Sequence, residues 1–190
     1  MKKIILIFLV LISGNIFAQK ISSDNSQLVD AYSLAINTVD INTRRGILAA
    51  GADYGGEWNR DISISTWFGV SLLRPQVAEK SLWSVTVNKD SIGHQYWDKI
   101  LWSIGALNHY KITGNKVFFK QAYAASLKTI NSLEQYTFDK KYGLFTGPSV
   151  ISDGIAGYPE PIYDSTNNSS FILDHKNSKN IKCANTYCMN

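Results

Sequence analysis

Cysteine is almost missing from this chain: of 190 residues only Cys183 and Cys188 are cysteine, and both lie in the tail. A disulfide framework is thereby excluded as the basis of the fold, and the pair is either one bridge formed in an oxidising compartment or two free thiols. Histidine is nearly as scarce, with three in all. None has a second histidine at metal-ligand spacing, which excludes a zinc site. No basic cluster of the kind a nucleic-acid partner would need is present. After residue 12 no apolar run approaches the roughly 20 residues that a membrane helix requires. Regular sequence repeats are lacking as well, which argues against a purely structural helical-repeat protein.

What the chain does have begins at its N-terminus. The stretch "MKKIILIFLVLISGNIFAQ" joins Lys2 and Lys3 to an apolar run from Ile4 to Ile12 and ends in small or turn residues before Ala18. This is the layout of a secretory signal peptide over residues 1–18, so the protein is expected to be exported, periplasmic or extracellular, without a permanent membrane anchor. Cleavage near Ala18 removes both lysines and lowers the net charge from +4 to +2. Residues 19–190 suffice for one domain with a real core.

Helical signals dominate that domain. Asp24 with Gln27 resembles a capping box opening a helix to about Asn37, with Leu28, Tyr32 and Ala35 or Ile36 on one face. Ile47 to Ala50 reads as extended, and Gly51, Gly55 and Gly56 mark turns. A helix is expected over Trp58 to Leu73, stopping before Pro75 because proline restricts the residue ahead of it. A shorter one runs from Pro75 to about Val85. Trp97, Ile100, Leu101, Ile104 and Leu107 predict a helix over 97–112, which "TGN" at 113–115 ends while capping the next. That next helix, 116–136, carries Phe119, Tyr123, Leu127, Ile130 and Leu133 or Glu134 at helical spacing. Long glycine-rich loops alternate with short turns, a pattern of stacked helical hairpins, and loops this long are more often functional than accidental. The segment 138–170 is the longest of them, and its aromatics and few charges predict an ordered loop.

Polar chemistry gathers at three loop-to-helix junctions. In "GGEWNRDISISTWFG", Asp61 falls in the first turn of a helix, where it is either a stabiliser of the helix dipole or an acceptor for two sugar hydroxyls. Arg60 beside it and Trp58 as an apolar wall fit the second reading, since a sugar ring offers an apolar C–H face and hydroxyls together. Gly55 and Gly56 would let the backbone pass close to a ligand. "GHQYWDKILW" brings His94, Gln95, Tyr96, Trp97 and Asp98 to another helix start, with Asp98 again either a helix stabiliser or a binding group. "GPSVISDGIAGYP" sets Asp153 in a glycine-rich loop. There it is either half of an Asp-Gly turn or a carboxyl desolvated by neighbours such as Tyr158 and raised in pKa to act as a general acid.

Taken together, "GILAAGADYGGEWNRDISISTW", "IGHQYWDKILWSIGALNHYKITGNKVFF" and "FDKKYGLFTGPSVISDGIAGYP" resemble the N-terminal half of bacterial six-hairpin glycosidases of the amylo-α-1,6-glucosidase or glycogen-debranching kind. The resemblance runs from about residue 42 to the C-terminus, and "WNRD" is similar to the "WTRD" of glucoamylases. It implies an all-α fold, a partial (α/α)6 six-hairpin toroid truncated after about five of twelve helices. It further implies an inverting glycosidase of α-glucosides or α-glucans in carbohydrate metabolism, with no metal or cofactor. Arg60 and Asp61 would hold the non-reducing-end sugar, Trp58, Gln95, Tyr96, Trp97 and Asp98 would complete the substrate-binding set, and Asp153 would be the general acid. The catalytic base of that family lies in its C-terminal half, so a fragment of this length is expected to be inactive by itself. A helical carbohydrate-binding module without catalysis is the alternative, because aromatic and carboxylate clusters suffice to bind sugar.

Overall fold

The computed structural model describes residues 21–93 and 96–183, so the expected leader, His94, Gln95 and Cys188 lie outside the described residues. The described chain is mostly helical, with five helices when two joined segments are counted as one. Helix α1 is Ser26–Ile41. Helix α2, Asn59–Ser65, continues through a π turn at Thr66–Val70 into α3, Ser71–Leu73. Then come α4, Pro75–Ser84, α5, Lys99–Thr113, and α6, Lys116–Thr137.

Local chemistry sets most of these boundaries. Pro75 opens α4 at a position whose N–H would be unpaired in any case. Gly114 closes α5 in the left-handed conformation at φ 67°, and the Asn115 side chain accepts from the N–H groups of Val117 and Phe118 to start α6. At α1 the cap is Asn25, not Asp24: its Oδ1 accepts from Gln27 at 3.0 Å and Leu28 at 3.4 Å. The packed face is Val29, Tyr32, Ile36 and Val39 while Leu28 points outward, a choice made by what the helix packs against and not by its cap.

Three two-stranded hairpins repeat one structural unit. Each follows a helix: β1–β2 (Thr43–Arg44, Ile47–Leu48) after α1, β3–β4 (Thr86–Val87, Ser91–Ile92) after α4, and β5–β6 (Phe138–Asp139, Leu144–Phe145) after α6. The first turns through Arg45 and Gly46, both at positive φ, as a two-residue I′ turn requires. Every hairpin delivers the chain into a longer loop, and those loops carry the three polar clusters.

The core lies where α2, α4, α5 and α6 meet, with Ile62, Leu82, Val85, Ile92, Trp102, Ala106, Phe118 and Ala122 buried together. Helix α5 is enclosed on most sides, and its Gly105 lets α2 approach so closely that a Cβ would stand 2.7 Å from Ser63 O and 2.7 Å from Thr66 Oγ1. The face of α6 departs from the expected stripe. Phe118, Ala122, Ala125, Thr129, Leu133 and Thr137 are buried, whereas Tyr123, Leu127 and Ile130 are exposed. Small and hydroxyl residues win the packed side because the β3–β4 hairpin comes close enough for Ile92 N–H to donate to Thr129 Oγ1 at 2.8 Å. Leu107 of α5 likewise faces outward.

His109 is buried between α5 and its neighbours, with Nδ1 3.1 Å from Ser71 Oγ, Nε2 3.6 Å from Glu79 Oε2, and its ring edge-on to Phe118. Burial lowers its pKa, and the nearby Glu79 carboxylate only partly opposes this. The folded state therefore holds His109 neutral, while the unfolded chain binds a proton near pH 6.5. The stability this contributes is present above that pH and is lost as pH falls toward the depressed folded value. Thermal melts from pH 8 to 5 are expected to show a steeper acid-side loss in the wild type than in His109→Gln. Parallel profiles would show that His109 titrates normally.

Candidate functional site

The junction at Trp58 explains why its four-residue motif alternates in role. Trp58 sits at the N-cap position in extended conformation, and no side chain caps the helix there. Asn59 turns inward and is fully buried, donating from Nδ2 to Gly93 O at 3.0 Å and accepting from Ser63 Oγ at 2.9 Å. It ties the first loop to the second. Trp58, Arg60 and Asp61 are left to line an open cleft. Gly56, at φ 109°, gives the preceding loop its turn, and Arg44 Nη2 holds that loop by donating to Ala52 O at 2.5 Å.

Arg60 is the centre of the site. Its guanidinium forks onto Asp153, with Nη1 donating to Oδ1 at 2.8 Å and Nη2 to Oδ2 at 2.5 Å, and Nη1 also lies 3.4 Å from Asp98 Oδ2. The hydrogen bonds to Asp153 raise the Arg60 pKa, with Asp98 and Asp61 adding to the effect against a smaller desolvation cost. Residues separated by 38 and 93 positions in the chain thus share one cation. A planar fork of this kind fixes orientation as well as charge.

The two aspartates differ in environment, and not as the sequence suggested. Asp153, expected to be desolvated, has a side chain 59 % exposed. Tyr158, expected to press on it, instead accepts from Ser149 N–H at 2.8 Å and donates to Ser152 Oγ at 3.1 Å, bracing the loop. Asp98 is the buried carboxylate, with its side chain only 8 % exposed. Burial raises its pKa, opposed by the Ile151 N–H that donates to Oδ1 at 2.8 Å and by Arg60, and reinforced by the charges of Asp153 and Asp61.

Trp97 requires a correction as a sugar-facing wall. It is 1 % exposed, donates from Nε1 to Thr146 O at 3.0 Å, and packs edge-on against Phe145 and Tyr96. A ring closed in on these sides is not among the residues that bound the open cleft, although it borders the narrow recess beside it. Tyr96 is half-buried and, with Asp98, Ser149, Ser152 and Asp153, lines a narrow recess behind the cleft. Gln95 lies outside the described residues.

The cleft itself holds about 450 Å³ and is bounded by Ala50, Tyr54, Trp58, Arg60, Asp61, Asp153 and Phe171. That volume lies within the range of small-ligand sites. Tyr54 and Phe171 were not foreseen as wall residues. Tyr54 had a signal, its place in "GADYGG". Phe171 had none, because it reaches the cleft only through the bridge between Gly154 and Phe171 and the bond from Ile172 N–H to Asp153 O at 2.8 Å. Aromatic faces beside a guanidinium and carboxylates suit a ligand that is apolar on one side and hydroxylated at its edges. Among the described residues no three His, Cys, Asp or Glu side chains gather into a group able to hold a metal, and no helix is long and apolar enough to cross a membrane. Set against family models, characterised proteins and solved structures, the chain matches none of them.

Proposed function

We propose that this protein belongs to an exported, inverting, metal-independent glycosidase of α-glucosides or α-glucans, whose helices form part of an (α/α)6 six-hairpin toroid. The observation that carries this reading is the convergence of Trp58, Arg60, Asp61 and Asp153 on one cleft from loops far apart in the chain. In this reading Asp61 accepts two adjacent hydroxyls of the terminal sugar, Arg60 orients that end, and Trp58 with Tyr54 and Phe171 covers the ring faces. Asp153 leaves the Arg60 fork when substrate enters, takes up a proton, and donates it to the glycosidic oxygen as the bond to the anomeric carbon breaks. A second carboxylate, roughly 6.5 to 9.5 Å from the first, activates the attacking water in inverting enzymes.

A second reading, a carbohydrate-binding protein without catalysis, is favoured by one observation: Asp153 stands forked on Arg60 and well exposed rather than desolvated. Isomaltose and an aryl α-glucoside separate the two. Sugar release that falls by about 10²- to 10⁴-fold in Asp153→Asn, with binding kept, is the expected result for a general acid. Because the first reading places the catalytic base beyond this chain, release is measured on the protein extended through any downstream reading frame. Binding without release there selects the second reading, and absence of both overturns the cleft as a carbohydrate site.

A further inference from the structure

Asp98 lies behind the cleft and does not line it. Both of its oxygens are nevertheless committed to groups that shape the cleft. Oδ1 accepts the Ile151 N–H, and Oδ2 lies against the same Arg60 nitrogen that donates to Asp153. Ile151 has φ 61°, a left-handed conformation that costs a non-glycine residue about 1–2 kcal/mol and needs its surroundings to hold it. The strained turn stands two residues before Asp153. A buried carboxylate that receives one backbone donor from the loop and one guanidinium from α2 fixes the distance between those two walls.

We propose that Asp98 is the positioning residue of the cleft, setting Arg60 and the Ile151 turn in register so that Asp153 and Arg60 face a bound sugar together. The inference rests on the cleft being a carbohydrate site. The charged groups around Asp98 are Arg60 and Asp61 from α2 and Asp153 from the loop. With burial as its dominant influence, ionised Asp98 lowers stability at neutral pH relative to a neutral side chain of the same shape. An asparagine at this position still accepts from Ile151 but turns an N–H₂ toward Arg60. A residue kept only for stability would therefore be replaceable by asparagine, and a positioning carboxylate would not.

The test uses the full chain with isomaltose titrations and thermal melts of the wild type, Asp98→Asn and Asp98→Ala. The expected result is an Asp98→Asn protein that melts no lower than the wild type at pH 7 yet binds isomaltose about tenfold more weakly, a change worth about 1.4 kcal/mol. Asp98→Ala should bind more weakly still. The acid limb of the wild-type affinity profile should lie at higher pH than that of Asp98→Asn. Equal affinity in wild type and Asp98→Asn, or a loss in Asp98→Asn matched by a fall in melting temperature, overturns the positioning role. If the wild type binds no isomaltose, the carbohydrate reading has failed, and the Ile151 amide resonance then decides the rest. An amide shift that titrates with a midpoint above the ordinary Asp value of about 3.9 and is lost in Asp98→Asn supports Asp98 as the anchor of the loop. An amide that does not titrate overturns it.

Discussion

Gly147→Ala is expected to destabilise the protein by roughly 2 to 5 kcal/mol and to abolish any ligand binding at the cleft, since strain and overpacking act together there. Gly147 opens the loop that carries Asp153, at φ 123°, where a side chain is strained in any surroundings. A Cβ would also stand far inside contact distance of the Cε1 edge of Tyr96 and 2.5 Å from Trp97 Nε1. Neither ring can retreat easily, because Trp97 is held by Thr146 O and packed on Phe145. Meanwhile Gly147 N–H is committed to Ile181 O at 2.7 Å, which limits movement of the loop itself. Gly143→Ala is the matched control: its φ is 65° and nothing stands within 4 Å of the added carbon, so only the conformational cost of about 1–2 kcal/mol remains. Melting temperatures of the two variants measure the difference, at about 2–4 °C per kcal/mol for a chain of this size. Equal shifts in both would show that the loop does not press on Tyr96 and Trp97.

Trp102→Ala is expected to cost about 3–5 kcal/mol, the range for removing a fully buried large aromatic. Trp102 is closed to solvent in the first turn of α5, with its ring 5.5 Å from Trp83 and its Nε1 donating to Leu82 O at 2.7 Å. It therefore joins α5 to α4 by packing and by a hydrogen bond at once. Trp102→Phe separates the two contributions, because it keeps much of the ring but leaves the Leu82 carbonyl without this donor, at about 1–3 kcal/mol. Urea unfolding of both variants gives the comparison. A loss below about 1 kcal/mol in Trp102→Ala would be that of a surface site and would contradict the packing of α5 on α4.

Asp40 and Arg74 show how far such packing reaches beyond the core. Their bidentate pair, at 2.9 and 2.8 Å, links the last turn of α1 to the junction of α3 and α4, and the guanidinium holds the Asp40 carboxyl below its usual range. Helix α1 has no buried residue, and this exposed pair joins the half-buried face of Val29, Tyr32, Ile36 and Val39 in connecting it to the rest. Exposed pairs contribute at most about 1 kcal/mol, which makes α1 the element least firmly fixed by its own contacts.

The helices were legible because their ends are written in single residues. Pro75, Gly114 and Asn115 act through backbone geometry and through one or two local hydrogen bonds, and those do not depend on what packs nearby. The faces were less legible. Along α6 the large apolar residues and the small ones both recur at helical spacing, and only the approach of the β3–β4 hairpin selects Ala122, Ala125 and Thr129 for the inside. The repeated unit of helix, hairpin and loop was invisible as a sequence repeat, because each hairpin is two residues per strand and its turns use different residues, Arg45-Gly46 in one and Asn88-Lys89 in another.

For the site, the sequence by itself determined which residues carry charge and where the helices that bear them begin, since composition and capping are local. It placed Trp58, Arg60, Asp61 and Asp153 among the candidates, and the structure brings these to one cleft. Tertiary structure alone decided that Trp97 is core, that Phe171 is a wall, and that Asp98 rather than Asp153 is the desolvated carboxylate. Desolvation depends on what surrounds a group in space, and even the two groups that partner Asp98 in its buried position, Arg60 and Ile151, lie 38 and 53 residues away along the chain.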